Sequence, residues 1–462
     1  MSTTSLLWLS CCWICILMYV RMRNEGSFKK NIAIGVTLPQ QAQTDPEVMR
    51  TIASFRREEL ILAIFMSLVA LVATWVAMQP AWADSMMCLW MVWLVVSCVA
   101  PEVIFARANL KLATIKQAHG WYPKRVSARS VVVDITAAAN QMPRMHGFWF
   151  WILAALSALP WAFSPSHDAG YFIYSAVVVM MWAVWRWCYR DKSEVVDDNT
   201  LRTEALGRIR RHAWAQVNLL CALCMTILSW LTLAFGDEEM LFFVSIVVLM
   251  VLMAASSLFI EMHVRHLQAQ LTQDVSGDTY VDEDAHWILG MFYHNPDDER
   301  LIINNRVGIN MSVNLARPLG KAIAAATVLI IVGATVFVLA FFMPGNGARM
   351  SVSDGAIETH CALASHTIDL EDILSAEKID ELPTLSRRVG AATDTMLEGS
   401  FRSDELGDVT VSLNRLQGPW LLIHTRDATY LIGGQNEDAF REVTDALAAQ
   451  GISVGSADTT AS

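Results

Sequence analysis

Eight carboxylates crowd one stretch of this chain: Asp274, Asp278, Asp282, Glu283, Asp284, Asp297, Asp298 and Glu299. Oxygen-rich clusters of this kind supply calcium sites. An EF-hand loop requires acids at positions 1, 3 and 5, glycine at 6 and glutamate at 12. Counted from Asp274, position 6 is Thr279 and position 12 is Ala285, so the spacing fails and the acids read as a solvated loop. Cys221-x-x-Cys224 has redox spacing but lies in an apolar run, where small packing residues are the better reading. His360, Cys361 and His366 fit no common zinc spacing, and no His-Glu-x-x-His helix or Gly-x-x-x-x-Gly-Lys loop occurs. Glu102, beside Pro101, is the ionisable residue nearest the interior of an apolar run. It reads either as a paired interfacial carboxylate or as an intramembrane proton or ion site. No nucleophile–base pair and no ligand set emerges, so the chain is expected to be non-enzymatic, with no cofactor and no metal.

The elements that must position these residues are apolar. Hydrophobic residues make up 54% of the 462 residues and the mean hydropathy is +0.38, too apolar for a soluble globule of this length. Eight stretches are expected to span a bilayer: 6–20, 60–79, 86–105, 147–163, 171–188, 213–235, 240–260 and 322–343. Lys and Arg number zero before the first span and then seven, zero, seven, zero, seven, zero and five in the connections, with Arg186 at the end of span five counted in the third group of seven. Cytoplasmic loops retain Lys and Arg, which puts both termini outside a plasma membrane. The short apolar start, Leu6 to Val20, lacks a basic n-region and is followed by Arg21 and Arg23, so it reads as an uncleaved anchor. Trp8, Trp75, Trp82, Trp161, Trp187 and Trp214 fall near expected interfaces.

Spans two and three, four and five, and six and seven form hairpins closed by short turns at 79–85, 164–170 and 236–239. The inner loops are long and basic. Helix formers at 108–117 and 201–212 should extend spans three and six, and Gly120-Trp121-Tyr122-Pro123 should end the first extension. The starts of two spans resemble one another, Arg144-Met-His146-Gly-Phe-Trp and Arg210-Arg-His212-Ala-Trp. Asn218, Gln216, Ser229, Thr226 and Ser97 are the polar residues available to line any pathway.

Past Pro344-Gly-Asn-Gly347 the pattern changes to a period of two. Val409, Val411 and Leu413 alternate with polar residues, and Trp420–His424 and Thr429–Ile432 read as strands around a turn at 425–428. Asn436 can cap a last helix whose apolar face is Phe440, Val443 and Leu447. Residues 345–462 carry 8 basic and 19 acidic side chains, which accounts for the whole net charge of −11 and disfavours nucleic acid and anionic headgroups as partners. Cys361 is alone in this region.

One local stretch is distinctive: Trp287-Ile-Leu-Gly-Met-Phe-Tyr293-His-Asn295-Pro296-Asp297-Asp298. Asn-Pro-Asp-Asp has turn chemistry. Leu301–Ile303 reads as a strand, 305–308 as a second turn, and Ile309, Met311 and Val313 as the return strand. The expectation is a compact β-hairpin that forms a collar for the last span or a docking site for a partner.

The run from His286 to Asn314 resembles a short motif of an uncharacterised bacterial membrane-protein family (domain of unknown function 5808). The matching positions are Trp287, Gly290, Tyr293, Asn295, Pro296, Asp298, Arg306, Gly308 and Asn314. Gly35-Val-Thr-Leu-Pro39, with Pro46, Val48 and Arg56, is similar to the same proteins. The motif commonly has Gly-Trp after its second turn, whereas Gly308 is followed here by Ile309. Residues from about 357 to 449 look like a bacterial pleckstrin-homology-like (PH-like) domain, on Leu382-Pro383, Arg387-Arg388, Gly390, Gly399, Phe401, Gly407 and the closing helix.

The resemblance implies a membrane all-α region of about eight transmembrane helices in hairpins, plus a C-terminal α+β PH-like small barrel with a C-terminal helix. The boundaries are 1–30 for the anchor, 31–260 for spans two to seven, 261–320 for the motif loop, 321–344 for span eight and 345–462 for the outer domain. The lipid bilayer is one partner, and a protein or peptide bound at the outer domain is the second. That points to envelope sensing or a toxin-immunity-like role, since some multi-span relatives are similar to immunity proteins. The alternative is a transporter or channel with an accessory PH-like domain.

Overall fold

The computed structural model describes residues 3–28, 31–122, 146–164, 169–188, 200–235, 239–271, 282–306, 311–343, 348–361, 365–393, 395–403, 405–415, 418–433 and 437–456. Apolar runs become helices because a helix satisfies its backbone polar groups internally, which hydrocarbon surroundings demand. The helices are α1 (Thr3–Cys11), α2 (Trp13–Glu25), α3 (Pro46–Val76), α4 (Ala83–Ala118), α5 (Phe148–Ala158), α6 (Pro160–Phe163), α7 (Tyr171–Cys188), α8 (Thr200–Phe235), α9 (Glu239–Leu271), α10 (Pro318–Phe341) and α11 (Glu437–Ala449). The extensions expected at 108–117 and 201–212 are continuous with α4 and α8. The linker at 344–347, Asn436 and most of the 107–146 loop lie outside the described residues.

Among the described residues, six helical stretches are long and apolar enough to cross a membrane: Thr4–Glu25, Pro46–Val76, Ala83–Ala118, Gly207–Phe235, Leu241–Leu267 and Pro318–Phe341. The expected fourth and fifth spans are shorter apolar helices, Phe148–Phe163 and Tyr171–Arg186. Pro160 supplies no N–H to the helix ladder, so α5 stops at 11 residues and α6 adds 4. A full crossing takes about 20. Six of the eight expected crossings are thus helices of spanning length, and the other two are shorter. α10 is exposed along most of its length, with Leu329 at 70% and Ile330 at 71%, as suits a helix in contact with lipid.

The chain divides into two compact units, one of Met1–Cys12, Phe65–Val96 and Ile330–Ser462, the other of Trp13–Ile64 and Ser97–Leu329. In the second, α5, α7 and α8 pack around Phe150, Ala154, Val178 and Ala222. Hydroxyls bind backbone across these helices: Ser229 Oγ donates to Ser157 O (2.7 Å) and Thr226 Oγ1 to Leu153 O (3.2 Å). Asn218 Nδ2 donates to Trp214 O one turn back, and Ser97 meets the Cys15 thiol. Ser229, Thr226 and Ser97 therefore hold helices together, whereas the Asn218 bond stays within α8. Gln216 faces outward.

The same unit contains two short hairpins. β1 (Ile32–Ala33) pairs with β2 (Val36–Thr37), and β3 (Trp287–Ile288) with β4 (Phe292–Tyr293). The second corrects the expected single hairpin, because the chain already reverses within Trp287–Tyr293. β5 (Ile302–Asn304) and β6 (Met311–Val313) form the expected further pair, and residues 307–310 between them lie outside the described residues. Met22, Ile34, Val36, Leu38, Val48, Ile52, Phe55, Phe105, Leu112 and Ile115 form one core between the first hairpin, α2, α3 and α4.

In the first unit, β7 (Arg349–Ser353), β8 (Ala356–His360) and β9 (Ser365–Asp369) form one antiparallel sheet. β10 (Ile373–Ile379), β11 (Ser386–Ala392), β12 (Met396–Ser403), β13 (Gly407–Asn414), β14 (Trp420–Thr425), β15 (Thr429–Gly433) and β16 (Val454–Ser456) form another, ordered β11-β12-β13-β15-β14-β10-β16. Val443 and Leu447 of α11 are buried with Ile357, Ile368, Leu421, Ile423 and Ile432. The expected strands and closing helix are present, and among the described residues the strands form a seven-stranded sheet and a three-stranded one. Thr395 Oγ1, in the β11–β12 turn, donates to Asp84 Oδ1 in the first turn of α4 at 2.6 Å.

Candidate functional site

The residues singled out by the motif separate into two polar clusters around the 282–317 loop. In the first, both hairpins use tight turns with two positive-φ residues. Ile34 and Gly35 have φ of 47° and 69°, and Leu289 and Gly290 have φ of 53° and 70°. Such turns match the strand twist and favour glycine at the second central position. The turns meet at their tips, where a methyl on Gly35 would stand 2.8 Å from Gly290 Cα. Asn109 Nδ2, from α4, donates to Ile34 O at 2.7 Å and fills the space beside Gly290.

Charge fastens this contact. Asp284 accepts from Thr37 N (3.0 Å), Thr37 Oγ1 (2.8 Å), Lys116 Nζ (2.7 Å) and Arg306 Nη1. Lys116, whose side chain is only 5% exposed, also donates to Asp282 at 2.6 Å. Arg306 Nη2 donates to Gly35 O, and the guanidinium lies 5.2 Å from the Trp287 ring centre. Burial pushes the Asp284 carboxyl up. The charge of Arg306 and the hydrogen bond and charge of Lys116 more than offset this, holding it below the usual carboxylate range. Two cations face two anions, so the cluster is neutral and each charge has a partner.

The second cluster is built on Asn314, which is fully buried. Its Nδ2 donates to Asn295 O and Asp298 O, both at 2.9 Å. Its Oδ1 accepts from Asn295 N (3.1 Å) and Ala316 N (3.0 Å). Tyr293 Oη donates to Asp298 Oδ2 (3.1 Å) and accepts from Asn295 Nδ2 (3.1 Å). Arg300 clamps the Asp298 carboxylate, holding it at about 2 despite partial burial. Burial pushes the Tyr293 hydroxyl up. Arg317 Nε donates to Asp298 O at 2.9 Å, so the turn at 295–298, which includes Pro296, sits on the first residues of α10. A Cβ on Gly320 would collide with Asn314 O.

The motif residues thus come together, but around one another. Trp287, Gly290 and Arg306 serve the first cluster, and Tyr293, Asn295, Pro296, Asp298 and Asn314 the second. Gly308 lies outside the described residues. Of the eight acids, Asp282, Asp284 and Asp298 hold cations of the chain itself, and Asp274 and Asp278 lie outside the described residues. Among the described residues no group of three or more His, Cys, Asp or Glu is arranged to hold a metal ion.

Glu102 stands apart from both clusters and pairs with Arg21 of α2 at 2.6 Å. Sequence reasoning read Asp282 and Asp284 as part of a solvated acidic loop and missed Lys116, Thr37 and Glu59. The last is 1% exposed on the buried stripe of α3, in register with Val48, Ile52 and Phe55. That three-to-four-residue spacing was the available signal.

Two family models match parts of the chain. Residues 296–321 match a family of unknown function (DUF5808), and residues 348–447 match a bacterial PH domain. Pro296, Asp298, Arg306, Gly308 and Asn314 fall inside the first match, and Trp287, Gly290, Tyr293 and Asn295 precede it. No curated protein and no solved structure matches the chain.

Proposed function

We propose that this chain is a multi-pass plasma-membrane protein without enzymatic activity, which presents its PH-like domain on the outer face and binds an extended segment of a protein or peptide partner there. The role that fits is envelope sensing or toxin immunity. On this reading α5–α6 and α7 form a short membrane hairpin that completes eight crossings. Six or eight crossings are both even, so either number leaves the two termini on one side. The alternation of Lys and Arg in the connections assigns that side to the exterior. The Thr395–Asp84 bond supports it, because Asp84 belongs to the end of the α3–α4 hairpin whose turn contains no Lys or Arg.

The observation that carries the binding reading is β11. It is an edge of the seven-stranded sheet, residues 386–390 are all exposed, and Val389 is 74% exposed. An unpaired edge offers backbone donors and acceptors to an incoming strand. Arg387, Arg388 and the register shift beside them discourage pairing with a second copy. A strain lacking residues 345–462 and a strain carrying Val389→Pro are expected to show the same increased sensitivity to membrane-acting peptide toxins or envelope stress. If both strains behave as wild type, the outer domain binds nothing that matters to the envelope and the proposal fails.

A further inference from the structure

Polar groups inside an apolar helix bundle are costly, and an ionised carboxylate with no donor is the costliest of them. Glu59 would be such a group if it were ionised. It lies on α3 between Phe55 and Met66 on the buried stripe, is 1% exposed, and its Oε1 has no hydrogen-bond partner among the described residues. The charged groups within its electrostatic reach are Arg21 from α2, Glu102 from α4 and Glu58 from α3 itself. Each of these is already engaged: Arg21 with Glu102 at 2.6 Å, and Glu58 with Arg107 at 3.9 Å. Cys15 of α2 and Ser97 of α4 complete the polar surroundings of the pair, their Sγ and Oγ 3.9 Å apart.

The arithmetic of charge then decides the occupant. Arg21 neutralises one carboxylate, and Glu102 holds it. A second, ionised carboxylate at Glu59 would leave one uncompensated negative charge among apolar side chains. A metal cation in its place would need several oxygen ligands, and here Glu102 is committed to a guanidinium while the thiol of Cys15 is a poor ligand for a hard ion. A proton needs one oxygen. We propose that Glu59, beside the Arg21–Glu102 pair, is an intramembrane proton-binding site of this protein. The proton comes from water and adds to the Glu59 carboxylate. Its release restores the lone negative charge and loosens the packing of α2, α3 and α4 around it.

The test uses the full chain in lipid nanodiscs at neutral pH. Infrared difference spectra between wild type and Glu59→Gln are expected to contain the carbonyl stretch of a protonated carboxylic acid, and spectra between wild type and Glu102→Gln to lack it. A second measurement needs no variant. Dicyclohexylcarbodiimide takes the acid proton onto its nitrogen while the carboxylate oxygen bonds its central carbon, so it reacts with protonated carboxyls in apolar surroundings. Mass spectrometry is expected to place the adduct on Glu59 and not on Glu58 or Glu102. Absence of both the band and the adduct overturns the proposal. So does protection of Glu59 from the carbodiimide by sodium at constant pH, which would make the occupant a cation.

Discussion

Gly35 and Gly290 touch through their bare Cα positions, so neither turn can carry a side chain without pushing the other away. Both also have φ near +70°. Alanine at either position meets the contact and a left-handed backbone, which alone costs about 1–2 kcal/mol. Gly35→Ala and Gly290→Ala are each expected to lower the melting temperature of the purified chain, followed by tryptophan fluorescence. Because the residues share one contact, the double variant should lose less than the sum of the two.

The buried charges behave differently. Removing one member of a buried ion pair strands its partner and costs about 3–5 kcal/mol. Lys116→Met strands Asp282, while Asp284 keeps Arg306 and Thr37, and should expose the 282–306 loop to limited proteolysis. Adding Asp282→Asn to Lys116→Met removes the stranded charge and should restore part of the protection. A double variant cleaved faster than Lys116→Met would contradict this geometry.

Asn314 offers four hydrogen bonds from one buried amide. Leaving buried backbone groups without partners costs about 1–3 kcal/mol. Asn314→Ala should therefore speed amide exchange at residues 295–298 while leaving the PH-like domain unchanged, as read by hydrogen exchange with mass spectrometry.

Acid should act on the same turn. The Asp298 carboxyl is held at about 2, below its ordinary value, so its contribution requires the ionised form. That contribution is complete above the ordinary carboxylate value of about 3.9 and is lost as pH falls toward about 2. Exchange in the 293–301 segment should accelerate across that window in the wild type, and Asp298→Asn should show the faster rate throughout.

Orientation can be read by thiol labelling, but not through Cys361. Its Sγ is 3.0 Å from Ser412 Oγ, and burial pushes the thiol up to about 11, so little reactive thiolate forms. Val389→Cys places a thiol on the exposed edge instead. An impermeant maleimide should label that variant in intact cells. Labelling only after lysis would turn the outer domain inward.

Local signals carried much of this architecture. The apolar runs, the extensions past 105 and before 213, the period of two around Val409 and the face of α11 each depend on neighbouring residues, and each is present. Pro160 was equally local, yet its effect on the fourth crossing depends on where the helix ladder stops. The Asp354-Gly355 turn between β7 and β8 is a local hairpin signal that went unused. Lys116 read as one more loop cation because its partner Asp282 lies 166 residues away. Glu59 follows Arg56, Arg57 and Glu58, so its surroundings in sequence look solvated, and only the buried stripe of α3 places it inside.

The bond between Thr37 and Asp284 joins positions 247 residues apart. The ribosome therefore releases the β1–β2 hairpin long before its counterpart exists, and the hairpin waits with its carbonyls and Lys116 uncovered while five further helices are inserted. Closure can occur only when the loop after α9 emerges. Folding of this half of the molecule thus reports that insertion has reached its last stage, and a chain arrested earlier displays an unfinished surface to the proteases that patrol the bilayer.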